Sequence, residues 1–247
     1  MLLPIADENT GRRSFPIVNY TIIAVNIIVF LMELNLGDSF IAGYSVVPYK
    51  ITHGVDLVMR RYPVPGIPGG ILEAPGPSPI YLTLITSMFL HGGWAHIFGN
   101  MLYLWIFGDN IEDEFGHLKY LIFYFICGIV AAFAQIAIAA DSLVPSLGAS
   151  GAIAGVLGAY ILLFPGNSVR VIVPMIPLFL FPFTLPALVV IGFWIVSQLF
   201  TQVASITEGT AQTGGGGVAY MAHIGGFFAG FILTLFFRQK RQRYSLD

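Results

Sequence analysis

Residues 14–32 read SFPIVNYTIIAVNIIVFLM, a stretch with no formal charge between Arg13 and Glu33. A helix needs about 20 largely apolar residues to cross a bilayer core, so this stretch reads as a membrane span. Outward from it, five more charge-free windows follow. They lie between Glu73 and Asp109, Lys119 and Asp141, Asp141 and Arg170, Arg170 and Glu208, and Glu208 and Arg238. Backbone groups in hydrocarbon must be paired within their own segment, so six windows predict six helices. The short alternating segments of a β-barrel are not visible. Of 247 residues, 56% are hydrophobic and 10% charged, and the mean hydropathy is +0.81. Soluble domains carry about 25% charged residues, so a cytosolic enzyme and a disordered chain are both excluded. A net charge of −2 offers no basic field to nucleic acid. The single Cys127 excludes a disulfide framework and a cysteine-based zinc site.

The expected fold is an all-α membrane protein, a six-helix bundle forming a single domain over residues 1–247. Its helices are expected at 17–35, 93–109, 118–139, 150–164, 184–205 and 218–237. The first is read as an uncleaved anchor, because it lacks a convincing small-residue cleavage site and more apolar segments follow. A long outer loop, rich in Pro and Gly, runs from Leu36 to Ile80. Pro174, Pro177, Pro182 and Pro186 predict an irregular approach to the fifth helix. With six helices both tails share one side. That side holds Arg12, Arg13, Lys119, Arg170, Arg238, Lys240, Arg241 and Arg243, eight of the eleven Lys and Arg residues. The positive-inside rule makes it cytoplasmic, with both termini there.

Polar groups inside membrane segments are costly, so each is a functional candidate. His91, His96, Asn100, Ser150 and His223 stand out. His96 and Asn100 are four apart and share a helical face. His91 lies five before His96, about 140° round the helix. Zinc helices place two His four apart, and no carboxylate or second His pair follows, so neither a metal nor a cofactor is expected. The bland alternative is that His96 and Asn100 are polar glue between helices.

Ser150 stands in GlyAlaSerGly (148–151). Gly151, Ala154, Gly155 and Gly158 form one small-residue face, and Ala222, Gly226 and Gly230 form another beside His223. Small faces allow close helix approach. If the two meet, Ser150 and His223 come within hydrogen-bond reach; the alternative is plain packing. No acid lies in the windows to orient His223, so the available chemistry is a Ser–His dyad rather than a triad. The oxyanion would be held by the Ser150 backbone N–H with His96 and Asn100. From Ser150 to Phe164 is about 22 Å of helix, shorter than the roughly 30 Å hydrocarbon core, which places Ser150 below the outer surface.

HisGlyGlyTrpAlaHisIlePheGlyAsn (91–100), GlyAlaSerGly (148–151) and AlaHisIleGlyGlyPhePheAlaGly (222–230) resemble the three signatures of the rhomboid intramembrane serine proteases. They come in that family's order, and GluAspGluPheGly (112–116) is similar to its loop after the second helix. The resemblance implies Ser150 as nucleophile, His223 as general base, and His96 and Asn100 as oxyanion-hole partners. His91 matches an accessory position, as do Gly148 and Gly151 around the Ser. It implies an endopeptidase that cleaves transmembrane protein substrates within or near the lipid bilayer through an acyl-enzyme. The alternative is a proteolytically inactive relative that binds membrane clients. A transporter with a histidine proton path ranks below both.

Two departures stand against the family pattern. Ala154 occupies a position where some members stack an aromatic ring on the catalytic His. The first outer loop also has no Trp to form a Trp–Arg pair, and Arg60–Arg61 is its nearest feature. GlyGlyGlyGly (214–217) is read as part of a cap that moves when substrate enters, with the fifth helix as the side gate implied by the resemblance. The compact form suits a bacterial inner membrane.

Overall fold

Each charge-free window holds a helix. In a computed structural model, which describes residues 2–9, 11–58, 60–64, 67–173, 181–207 and 219–237, they are α1 (Ile17–Tyr44), α4 (Trp94–Phe115), α5 (His117–Ile138), α6 (Ser150–Leu163), α7 (Ala187–Thr207) and α8 (Tyr220–Phe237). Short helices α2 (Pro48–His53) and α3 (Thr83–Thr86) lie between α1 and α4. By length and composition α1, α5, α7 and α8 are apolar enough to cross a membrane. α6 has only 14 residues, and polar side chains, His96, Asn100 and Asp109 among them, dilute the apolar run of α4.

Three features depart from the sequence reading. First, α1 runs on to Tyr44 rather than ending near residue 35. Gly37, at φ 75°, interrupts the helical backbone there, so two helical segments meet at a kink. Second, α4 runs past its expected end at residue 109, and the helices carry acids that bound or lie beyond the charge-free windows. Glu33 is buried in α1, and Asp109, Glu112 and Glu114 are buried in α4. Third, two small sheets add to the helical body. β1 (Leu3–Asp7), β4 (Ser168–Ile172) and β5 (Phe183–Pro186) form an antiparallel sheet in the order β1-β4-β5. β2 (Arg61–Val64) and β3 (Ile67–Leu72) form a hairpin between α2 and α3.

The acids of α4 have a structural task. The first N–H groups of a helix have no acceptor within it. The Glu112 carboxylate accepts the Val18 and Asn19 N–H groups at 2.9 and 2.7 Å. Asp113 accepts the Ser14 N–H and hydroxyl, each at 2.7 Å. Negative charge is also favourable at a helix N-terminus, so the end of α4 clamps the start of α1.

α6 sits at the centre, with residues 151–160 all buried among α4, α5 and α8. It packs most closely on α8 because glycine alternates across the contact. A Cβ on Gly226 would run into the Gly151 carbonyl oxygen, one on Gly230 into that of Gly155, and one on Gly158 into that of Phe227. The two small-residue faces therefore do meet. On the α5 side, a Cβ on Gly155 would press on the Cys127 side chain.

Candidate active site

The loop before α6 is held from two sides. Val46 and Ser146 form an isolated antiparallel bridge, and the Gly148 N–H donates to the Ser87 carbonyl at 2.8 Å. Gly148 adopts φ 123°, a conformation that favours glycine, and a Cβ there would lie 2.8 Å from His96 Nε2. Glycine at 148 thus lets the α4 imidazole approach the start of α6. Ser150 is the first residue of α6, so its N–H has no acceptor within the helix.

The α6–α8 crossing brings His223 to Ser150, with Nε2 2.8 Å from Oγ. The other ring nitrogen, Nδ1, lies 2.7 Å from Gln198 Oε1 on α7. One turn earlier on α7, the Trp194 ring stands 5.7 Å from the imidazole at 39°. His223 is thus framed by α6 and α7, and among the described residues no carboxylate lies at either ring nitrogen.

His96 and Asn100 face the same space from α4. His96 Nδ1 accepts the Gly92 N–H at 3.3 Å, which leaves Nε2 to carry the proton. Asn100 is buried, and its Nδ2 has no partner among the described residues. Both line a cavity of about 520 Å³ together with Ser150, His223, Trp194 and Tyr103. Nε2 of His96, Nδ2 of Asn100 and the Ser150 backbone N–H, none with an acceptor among the described residues, converge on one cavity beside a hydroxyl hydrogen-bonded to an imidazole. Such an arrangement suits acyl transfer.

His91 is brought near but stays apart. It is 1% exposed, and its ring packs edge-on against Phe30 and His96. Its backbone N–H donates to both Glu33 carboxylate oxygens, at 3.2 and 3.1 Å. It props the mouth of α4 and does not line the cavity. Gly151 is packing space, since a Cβ there would press on Ala131. Among the described residues no three His, Cys, Asp or Glu side chains are placed to hold a metal ion.

Glu33, Trp194 and Gln198 escaped the sequence reading. Glu33 was taken as a boundary because it ends a charge-free run. Gln198 lies inside a window, where the rule that polar groups in a membrane segment are costly applies to an amide as it does to a histidine. The run 214–217 and the basic residues 238–243 lie outside the described residues.

A model of the rhomboid domain matches residues 79–240, which takes in α4 to α8 and every residue of the cavity. The rhomboid protease GluP of Bacillus subtilis is 42% identical over 76 residues, 31% of this chain and 14% of that protein. The mitochondrial Rhomboid protein 1 of Saccharomyces cerevisiae is 32% identical over 157 residues, 60% of this chain and 40% of that protein. RHOMBOID-like protein 5 of Arabidopsis thaliana is 37% identical over 76 residues, 31% of this chain and 25% of that protein. The matched regions thus span well under two thirds of these relatives' own lengths. With the domain matched over most of its length, the chain belongs to the rhomboid family of multi-pass membrane proteins.

Proposed function

We propose that this protein is an intramembrane serine endopeptidase that cuts transmembrane protein substrates with a Ser150–His223 pair. The observation that carries the reading is the 2.8 Å contact between His223 Nε2 and Ser150 Oγ, set beside unused hydrogen-bond donors in one cavity. Ser150 Oγ attacks the scissile carbonyl carbon while its proton passes to His223 Nε2. The oxyanion is held by the Ser150 N–H, His96 Nε2–H and Asn100 Nδ2–H. The carbon–nitrogen bond then breaks, and His223 returns the proton to the leaving amine. Water enters the cavity, gives a proton to His223 and attacks the acyl ester; the ester C–O bond breaks, His223 returns that proton to Ser150 Oγ, and the new carboxyl end leaves.

α6 explains why this chemistry can run within a membrane. Its 14 residues span about 21 Å, against roughly 30 Å of hydrocarbon. The start of the helix therefore lies below the surface, and irregular backbone is tolerated there because it lines a polar cavity. A helical substrate hides its carbonyls in hydrogen bonds, so cleavage requires local unwinding. Substrates with small or helix-breaking residues near the cut follow from that requirement. The whole of residues 1–247 acts as one domain in this reading, in a bacterial inner membrane with both termini cytoplasmic.

The test is cleavage of a transmembrane substrate by purified protein in detergent or vesicles, comparing wild type with Ser150→Ala and His223→Ala. Both variants should lose cleavage while keeping their fold. Cleavage that survives Ser150→Ala removes the mechanism. A wild type that binds the substrate without cutting it favours a client-binding role.

A further inference from the structure

We propose that Gln198 is a positioning residue of the active site, the third member of a relay that holds His223 in the tautomer able to accept the Ser150 proton. The proposal rests on the Ser150–His223 reading above and deepens it. The contact alone, His223 Nδ1 to Gln198 Oε1 at 2.7 Å, leaves the direction of the hydrogen bond open, because an amide has a donor end and an acceptor end. The surroundings of Gln198 fix that direction. Its Nε2 donates to Ser197 Oγ at 3.2 Å, and Ser197 Oγ spends its own proton on the Trp194 carbonyl at 2.6 Å. The hydroxyl therefore has only acceptor capacity left for Gln198. With the NH₂ end held at Ser197, the oxygen end faces His223 and accepts from Nδ1–H. A neutral imidazole protonated at Nδ1 has a free lone pair at Nε2, the atom 2.8 Å from Ser150 Oγ.

The chain of polarity thus runs from the Trp194 carbonyl through Ser197, Gln198 and His223 to Ser150. In a serine triad a carboxylate performs this task from the same ring nitrogen. Here a neutral amide does it, at a site where a buried charge would be expensive. Among the described residues His96 is the ionisable group that faces His223 from α4, while α6 and α7 present Ser150, Trp194 and Gln198. The place left by Ala154 is met from α7, by the Trp194 ring beside the imidazole and by the amide one turn on.

Two variants and two readouts test this. Gln198→Leu keeps the volume and removes the acceptor. It should lower kcat by about 10- to 100-fold with KM little changed, the scale of loss expected from misorienting a catalytic group. Gln198→Glu restores an acceptor and adds a negative charge, which raises the imidazole pKa. It should recover most of the lost kcat and move the acid limb of the pH–rate profile to higher pH, a movement that a packing role would not produce. Independently of any cleavage, ¹⁵N spectra of labelled histidine should show His223 protonated at Nδ1 in the wild type and as a mixture of tautomers in Gln198→Leu. An active wild type whose kcat, acid limb and tautomer are all unmoved by Gln198→Leu overturns the role of Gln198. Equal losses in both variants with unmoved limbs and tautomer also overturn it. An inactive wild type that still shows the Nδ1–H tautomer, lost in Gln198→Leu, contradicts the protease reading alone and leaves the relay supported.

Discussion

The two ends of α6 are built on opposite principles. At its start, Ser150, Asn100 and His96 face a cavity with donors unspent. At its other end, the Tyr160 hydroxyl donates to Asp7 Oδ2 at 2.6 Å, and the Asn110 amide donates to the same oxygen at 2.6 Å. Asn167 adds a donor to the Tyr160 oxygen at 3.3 Å, and Arg12 pairs with Asp109 at 2.6 Å. Buried polar groups left unpaired cost stability, whereas a satisfied network holds a fold together. One helix thus carries an end with unpaired donors, the proposed reactive end, and a saturated anchoring end. The residues between them are glycine and other small or apolar ones, packed against α8.

Variants that separate the two ends make that contrast testable. The largest effect belongs to the reactive end. His96→Ala and Asn100→Ala should each lower kcat by about 10²–10³-fold, the usual loss for one oxyanion donor, with little change in unfolding midpoint. A variant that keeps kcat would show that its donor does not serve the reaction. Gly226→Ala tests the link between the ends. Its Cβ would meet the Gly151 carbonyl, so α6 and α8 must part, at a cost of about 1–3 kcal/mol. Both the thermal midpoint and cleavage should fall together, and a variant that loses neither would mean that the crossing has room to spare. Tyr160→Phe belongs to the anchoring end. It removes one donor to Asp7 and should cost about 1–3 kcal/mol while leaving cleavage per folded molecule unchanged.

The anchoring end also predicts a pH dependence. Burial first, with Asp109 adding to it, pushes the Asp7 carboxyl from its ordinary 3.8 to about 7 against the hydrogen bonds it accepts. Between those values the folded state binds a proton that the unfolded chain has released. Asp7 therefore makes stability fall as pH rises from about 4 to 7. Asp7→Asn keeps an acceptor and cannot ionise, so it should flatten that slope in thermal unfolding. An unchanged slope would place the pH dependence elsewhere.

Much of this contrast was legible before the structure, and for identifiable reasons. Charge gaps locate helices because lipid tolerates few charges, and glycine spacing at 151, 155, 158, 226 and 230 announces a close crossing because little else fits. The two patterns make a contact between Ser150 and His223 possible, and the family resemblance implies it. The N-terminal strand was not foreseen. Residues 3–7 hold only five positions and include Pro4, and their partner β4 spans only the five residues Ser168–Ile172. Gln198 was passed over because amides carry no charge and leave no gap in a charge map. Glu33 falls inside the expected helix 17–35 but at the edge of its charge-free run, so a search of the runs alone does not single it out.

Mapping the adduct of a fluorophosphonate on the intact protein tests the central assignment most directly. Tandem mass spectrometry should find the phosphonyl group on Ser150, absent in Ser150→Ala and strongly reduced in His223→Ala. An adduct on another residue, or labelling unchanged in both variants, would contradict the placement of the reactive end at Ser150.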